Sequence, residues 1–214
     1  MDNLAEYYAK RAGEYERIYA KPERQANLAA LRTRIGKMFA GRQVLELACG
    51  TGYWSEVIAR GAEQLTALDV NEEVLQIARS KSYPANRVEL LQGDCYAPPD
   101  FKRRHNALFA GFWWSHVPVE KFDSFLHAVN ATVAPGALIA FLDNHYVEGS
   151  STPVSRRDAE GNDYQLRKLD DGSAHEVLKN FPSSEQAFAM LGPRALRPQW
   201  IAFEHYWILS YDLN

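Results

Sequence analysis

A loop of small residues between positions 46 and 52, Glu-Leu-Ala-Cys-Gly-Thr-Gly, carries the strongest chemical signal in the sequence. The apolar run before it has the composition of a buried strand, and the residues after it have that of a helix. Glycines at such a junction let the backbone turn sharply, and the following helix directs free N–H groups to the same point. This arrangement predicts a binding site for a nucleotide-like ligand.

Asp69 ends the next apolar run, where its carboxylate can accept hydrogen bonds from both hydroxyls of a ribose. A dinucleotide-binding loop would read Gly-x-Gly-x-x-Gly, but Ser55 stands at the third glycine position. Glu46 is unfavourable beside a pyrophosphate and suits a ligand with an ammonium group. These residues favour a nucleoside ligand other than a dinucleotide. A tight structural turn and a nicotinamide-dependent oxidoreductase are the alternatives.

Short β-rich runs alternate with helical stretches, which predicts a parallel sheet with helices on both faces. The predicted strands are 43–47, 65–69, 88–92, 107–113 and 137–142, and the predicted helices are 3–20, 24–38, 55–60, 72–80 and 119–133. Asn71 is a suitable N-cap for the helix that follows it. In the last third of the chain, the residue pattern predicts a loop (145–162), a hairpin around 170–173 and a helix (183–191) with a Ser183–Gln186 capping box. It also predicts a final strand (200–213).

The loop resembles motif I of the class I S-adenosylmethionine-dependent methyltransferases, acidic-x-Gly-x-Gly-x-Gly, with Ala48 at the first glycine position. The likeness continues through Leu68-Asp69-Val70-Asn71, Gly93-Asp94-Cys95-Tyr96 and residues 111–116, and covers about residues 1–145. It implies an α/β fold, a Rossmann-like three-layer sandwich whose seven-stranded sheet is mostly parallel with an antiparallel last strand. It also implies S-adenosylmethionine as cofactor and S-adenosylhomocysteine as product.

The resemblance also assigns residues to the cofactor. Asp69 would meet the ribose, Asp94 would meet the adenine amino group, and an N-terminal helix would close over the ligand with Arg11 facing its carboxylate. The full expected set is Tyr8, Arg11, Tyr15, Glu46, Ala48, Gly50, Gly52, Trp54, Asp69, Val70, Asp94, Cys95, Tyr96 and Phe112. The alternative for Arg11 is that its aliphatic stem covers the core while its charge reaches water.

The methyl acceptor is expected beyond the carboxyl ends of the strands, where ligands lie in open α/β sheets. The candidates after strands four and five are Trp113, Trp114, His116, Asp143, Asn144, His145 and Tyr146, with His175, Trp200 and Tyr206 as secondary candidates. His116 and His145 are the candidate general bases, because histidine titrates near neutral pH. A capping or packing role for His116 and a plain loop position for His145 are the alternatives.

The amino-acid composition limits the kinds of partner that the protein could bind. The 214 residues are 46% hydrophobic, as in globular chains, and the net charge of −3 offers no basic surface for nucleic acid. No apolar run approaches the ~20 residues of a membrane helix. The two cysteines, Cys49 and Cys95, favour a reducing cytoplasmic compartment. Neither has a second Cys or His at ligand spacing, so no metal site is expected.

We therefore expect a single methyltransferase domain over residues 1–214. A helical lid (1–41) would precede the cofactor-binding core (42–145), and a loop, hairpin, helix and final strand (146–214) would complete the domain. The expected activity is methyl transfer from S-adenosylmethionine to an oxygen or nitrogen atom of a small organic acceptor, with neither nucleic acid nor membrane as partner. A catalytically silent cofactor-binding sensor or partner protein, and a protein or RNA methyltransferase, are the alternatives. The sequence identifies neither the acceptor nor the oligomeric state.

Overall fold

Ten strands form two sheets in this protein, whose computed structural model describes residues 2–102 and 104–214. In chain order they are β1 (Gln43–Leu47), β2 (Gln64–Asp69), β3 (Val88–Gln92), β4 (His105–Gly111), β5 (Val133–Asn144), β6 (Arg156–Arg157), β7 (Asp163–Lys168), β8 (Ala174–Leu178), β9 (Ala195–Ala202) and β10 (Tyr206–Leu213). The main sheet has the order β3-β2-β1-β4-β5-β10-β9, and the small sheet has the order β6-β7-β8.

The main sheet is parallel from β3 to β5, and β10 is antiparallel to both of its neighbours, β5 and β9. Six of the seven strands therefore point in one direction, and the last strand of the chain runs against them. This confirms the predicted mostly parallel, Rossmann-like sheet with an antiparallel last strand.

The described residues form six α-helices beside the sheets: α1 (Asp2–Arg11), α2 (Gln25–Met38), α3 (Tyr53–Ala59), α4 (Glu72–Ser80), α5 (Phe122–Ala131) and α6 (Ser184–Leu191). Side chains of α2 and α3 pack on one face of the main sheet, and those of α5 and α6 pack on the other. Because successive strand residues point to opposite faces, Val44 of β1 joins the first cluster and Leu45 joins the second. The sandwich has the three predicted layers.

The N-terminal helix is shorter than predicted. α1 ends at Arg11, and a 3-10 helix, Ala12–Ala20, replaces the rest of the expected helix over 3–20. Gly13 lies at this break, and glycine in a helix interior costs about 1 kcal/mol relative to alanine. Tyr7 of α1 is buried with Val177 of β8, so the small sheet packs on this helix.

Three other local predictions differ from the structure. The segment 200–213 is not one strand, because a turn between β9 and β10 lets the Phe203 N–H donate to the Tyr206 carbonyl oxygen at 2.7 Å. β4 ends at Gly111 because Phe112 adopts φ +60°. Asn71 precedes α4 but does not cap it; its side-chain amide donates to the Ala5 carbonyl oxygen at 3.1 Å.

The predicted loop over 145–162 contains the short strand β6, and β9 begins before the predicted final strand. The remaining predicted helices and strands are confirmed to within a few residues, including the hairpin, now β7 and β8, and the capping box at the start of α6. In the part of the chain that the structure describes, no helix has the length and apolar character needed to cross a membrane.

The turn between β1 and α3 is left-handed at alternate residues. Ala48, Gly50 and Gly52 have φ values of +51°, +55° and +79°. Glycine adopts these angles without steric cost, but alanine does not. Ala48 therefore holds a strained conformation at the floor of the turn.

Glu46 supports the same turn from behind. It is 2% exposed, and its Oε2 accepts a hydrogen bond from the Ser55 hydroxyl of α3 at 2.6 Å. Burial raises the pKa of Glu46 from 4.5 to about 8. The hydrogen bond ties β1 to α3 beneath the loop.

Replacing Ala48 with glycine is expected to raise the free energy of unfolding by about 0.5–1 kcal/mol, because glycine removes the left-handed strain. Ala29→Gly is the matched control in right-handed α2, and it should lower that free energy by about 1 kcal/mol. Urea unfolding measures both variants. If Ala48→Gly lowers the free energy of unfolding as much as the control does, Ala48 is not strained.

Glu46 should make the unfolding free energy depend on pH. Since its folded pKa, about 8, lies above its ordinary value of 4.5, its contribution is complete below pH 4.5 and is lost as the pH rises towards 8. The loss is at most about 1.4 kcal/mol per pH unit. Glu46→Gln mimics the protonated carboxyl and should flatten this slope. Urea unfolding at several pH values between 5 and 8, without cofactor, provides the comparison; equal slopes for the two proteins would exclude this role.

Candidate active site

Two cavities meet at the carboxyl ends of the parallel strands. The larger has a volume of about 550 Å³ and the smaller about 330 Å³, sizes typical of ligand pockets. Both are lined by Tyr8, Tyr15, Phe112 and His116, and we call these four residues the junction. A ligand in one cavity would therefore face a ligand in the other across the junction.

The larger cavity lies over the loops that follow β1, β2, β3 and β4. Ten of the residues that the sequence assigned to the cofactor line it: Tyr8, Tyr15, Ala48, Gly50, Asp69, Val70, Asp94, Cys95, Tyr96 and Phe112. Parallel strands bring these segments together because their carboxyl ends share one edge of the sheet.

Asp69 is fixed at the centre of this cavity. Its Oδ2 accepts from the Gly50 N–H at 2.8 Å, and its Oδ1 accepts from the Asn71 N–H at 2.9 Å. Burial raises the pKa of Asp69, while these backbone hydrogen bonds oppose that rise. Each oxygen keeps a second lone pair, so the carboxylate can still accept two ribose hydroxyls.

An apolar slot adjoins Asp69. Val70 is 43% exposed in the cavity wall, and the ring of Tyr96 meets that of Trp113 edge-on, with centroids 5.8 Å apart. Asp94 lies beside the slot, and its Oδ1 accepts from the Tyr96 N–H at 2.8 Å. A flat heteroaromatic ring with an amino group matches this slot, so the larger cavity fits an adenosine moiety.

Four predicted cofactor residues do not line the larger cavity. Glu46 lies behind the loop, Trp54 is buried against Phe109, and a Cβ added at Gly52 would point away, to within 2.5 Å of the Tyr83 hydroxyl. Arg11 lines the smaller cavity instead.

The smaller cavity lies between α1, the 3-10 helix and the β7–β8 hairpin. Lys179, just after β8, reaches into its wall and donates to Asp143 Oδ1 at 2.8 Å and to Ser115 Oγ at 2.6 Å. Asp143 Oδ2 accepts from the Ser115 N–H at 2.9 Å. This buried network fixes the ends of β4 and β5 against the hairpin.

His116 is buried at the junction in a defined tautomer. Its Nδ1 lies 2.6 Å from the Leu178 carbonyl oxygen, which can only accept, so Nδ1 carries the proton. Nε2 then accepts from the Tyr8 hydroxyl at 2.8 Å. Burial, and next the positive charge of Lys179, lower the pKa of His116 well below its ordinary value. The ring is therefore neutral at pH 7.

The other predicted acceptor residues are spread over the molecule. His145 lines neither cavity; its ring packs against Trp200 with centroids 6.1 Å apart. Those at the cavities are Trp113 in the larger one, Asn144 and Tyr206 in the smaller one, and Asp143 behind Lys179. Those away from both are Trp114 in the core, exposed Tyr146 against Phe181, Trp200 stacked on Trp207, and His175 beside Tyr7.

The hairpin supplies polar residues that the sequence prediction missed. Gln165 and Arg167 of β7 and Lys179 after β8 all line the smaller cavity. A lysine directly after the alternating run of β8 was the available signal, but its buried partner, Asp143, lies 36 residues away in the chain. Among the described residues, no group of three or more His, Cys, Asp or Glu side chains could hold a metal ion.

Comparison with known proteins gives a consistent result. A family model described as a methyltransferase domain matches residues 44–136. A demethylmenaquinone methyltransferase from Staphylococcus haemolyticus is 27% identical over 106 residues, which are 48% of this chain and 44% of that protein. The chain thus matches less than half the length of this curated relative.

Solved structures match nearly the whole chain. The DhpI complex with SAH (S-adenosylhomocysteine) has a TM-score of 0.80 and 27% identity, covering 98% of this chain and 94% of that one. The DhpI complex with SAM (S-adenosylmethionine) and HEP has the same score and identity and covers 98% and 95%.

The sheet order, the cavity over the β1–α3 loop and these matches lead to one assignment. The chain has the fold of the class I S-adenosylmethionine-dependent methyltransferases, and residues 44–136 match a methyltransferase domain.

Proposed function

We propose that the protein transfers a methyl group to an oxygen or nitrogen atom of a small organic acceptor bound in the smaller cavity. The observation that carries this proposal is the junction, whose four residues line both the cavity that fits adenosine and a second cavity beside it. Holding two reactants in contact in the correct orientation can supply ~7–11 kcal/mol of the barrier. A binding protein without catalysis would need only the larger cavity.

The cofactor would be held by the residues that line the larger cavity. Asp69 would bind the ribose, and Val70, Asp94 and Tyr96 would surround the adenine. S-adenosylmethionine supplies the methyl group: the lone pair of the acceptor atom bonds the methyl carbon while the carbon–sulfur bond breaks, its electron pair staying on sulfur to give S-adenosylhomocysteine. The aromatic rings at the junction would stabilise a sulfonium cation.

Tyr8 and His116 are placed to remove the proton that an O–H or N–H acceptor must lose. The Tyr8 hydroxyl would take the acceptor proton as it passes its own proton to His116 Nε2, which has a free basic lone pair in this tautomer. General base catalysis of this kind typically contributes 10²–10⁴-fold. His145 lies outside both cavities and has no part in this step.

Turnover tests the proposal directly. The purified protein should form S-adenosylhomocysteine from S-adenosylmethionine only when an acceptor is present, and the acceptor should gain the mass of one CH₂ unit in mass spectrometry. Cofactor binding without turnover across a panel of hydroxyl and amino compounds would favour the silent sensor. Binding of NAD in place of S-adenosylmethionine by calorimetry would overturn the proposal.

Removing the Tyr8 hydroxyl should slow the reaction without weakening cofactor binding. Tyr8→Phe is expected to lower kcat by about 10²-fold, since the proton path is broken, while the Kd for S-adenosylhomocysteine changes little. Tyr211→Phe, which loses only a 3.3 Å hydrogen bond to Asn130, is the matched control.

Because the pKa of His116 is lowered, wild-type kcat should stay level from pH 8 to pH 6. A wild-type rate that falls with an ordinary histidine pKa near 6.5 would contradict the neutral, buried base.

A further inference from the structure

The wall of the smaller cavity is strongly cationic, although the chain as a whole carries a net charge of −3. Its basic side chains are Arg11, Lys21, Arg24, Arg167, Lys168 and Lys179. The single carboxylate in the wall, Glu14, lies 3.8 Å from Arg17, which is outside the cavity. The positive charge is therefore concentrated where the acceptor would bind.

Most of this charge has no counterion. Lys179 is paired with Asp143, but within the described ranges no carboxylate lies within 4.0 Å of the other five cations. Arg24 is only 9% exposed, and its Nε has no hydrogen-bond partner. Lys21 and Arg24 donate only to Ser150. Partly buried cations without a counterion are unfavourable unless a ligand supplies the anion.

Two guanidinium groups are positioned nearest the junction. The Arg11 Cζ lies 5.4 Å from the ring centroid of Tyr15 and 5.7 Å from that of Tyr7. The Arg167 Cζ lies 6.0 Å from the same Tyr7 ring, and its Nε and Nη2 donate to Gln165 Oε1. Both guanidinium groups thus lie beside aromatic rings, and each arginine keeps N–H groups with which to bind an oxyanion at two points.

We infer that the smaller cavity selects methyl acceptors that carry an oxyanion, a carboxylate or a phosphoryl group, and binds that group through Arg11 and Arg167. The inference rests on the proposed function and names the class of its acceptor. Cationic acceptors would be repelled by the same wall.

The oxyanion would also assist proton removal. Burial is the main cause of the lowered pKa of His116, and Lys179, Arg167 and Arg11 lower it further. An anion beside Arg167 and Arg11 offsets their charge, so His116 accepts a proton more readily when the acceptor is bound. Binding of an anionic acceptor to this wall would thus raise the basicity of His116.

Calorimetry on the wild-type protein saturated with S-adenosylhomocysteine tests the inference. Inorganic phosphate and acetate are titrated in separate arms at constant ionic strength, with methanol as the neutral probe. Saturable binding of phosphate alone assigns a phosphoryl site, and binding of acetate alone assigns a carboxylate site. Binding of both assigns a general oxyanion site, and methanol should not bind measurably.

Arginine variants locate the site. Arg11→Gln and Arg167→Gln should each weaken anion binding about tenfold or more, because each loses charged hydrogen bonds. Their affinity for S-adenosylhomocysteine should stay within about threefold of wild type, which also reports that they fold. Arg11→Lys should bind the anion with intermediate affinity, because it keeps the charge but loses the planar fork. Arg34→Gln, an exposed change in α2, is the matched control and should bind like wild type.

Two results would overturn the inference: no anion binding to the S-adenosylhomocysteine complex, or anion binding that both Gln variants retain. A loss of S-adenosylhomocysteine affinity in Arg11→Gln with anion binding intact would instead place Arg11 on the cofactor carboxylate. If neutral acceptors are methylated while no anion binds, methyl transfer stands and the acceptor class is wrong. If S-adenosylhomocysteine itself fails to bind, the proposed function fails first.

Discussion

The pair of hydrogen bonds that hold the Asp69 carboxylate is the constraint on which the site depends. One comes from the Gly50 N–H after β1 and the other from the Asn71 N–H before α4, so a single side chain fixes two neighbouring loops. The Cys49 N–H adds a bond to the Leu68 carbonyl oxygen at 3.0 Å. With these loops fixed, the floor of the larger cavity has one shape, and the junction lies at a set place beside it.

α1 and the β7–β8 hairpin cover the cavities, and equally specific hydrogen bonds attach them to that floor. The Asn71 amide binds the Ala5 carbonyl oxygen of α1, and the Tyr8 hydroxyl binds His116 after β4. The Asn180 N–H, beyond β8, donates to the Ser115 carbonyl oxygen at 2.8 Å. α1 and the hairpin are therefore held over the strand ends from two sides, and residues of both segments line both cavities. The junction takes Tyr8 from α1, and the Leu178 carbonyl oxygen of the hairpin holds His116.

The sequence predicted the parts of the site whose positions follow from the order of strands and loops along the chain. The strand, the glycine turn and Asp69 follow one another along β1, α3 and β2, and parallel pairing brings their ends together in any fold of this type. His116 was predicted for the same reason, since it follows β4. These residues needed only the strand order to be placed correctly.

The acceptor wall could not be predicted in this way. Arg11 and Arg167 are 156 positions apart in the numbering, and they lie by the same Tyr7 ring only because the hairpin packs on α1. The aromatic stripe of α1 indicated a lid, but not which ligand Arg11 would face. Likewise, nothing local distinguishes His145, which packs on Trp200, from His116, which reaches the junction. Long-range packing decides both.

A crystal structure of the complex with S-adenosylhomocysteine tests the account most directly. We expect the adenosine to lie in the larger cavity with its ribose on Asp69, and the sulfur to face Tyr8, Phe112 and His116 at the junction with the smaller cavity. A ligand that fills the cationic cavity, or a sulfur that points away from the junction, would contradict this assignment of the two cavities.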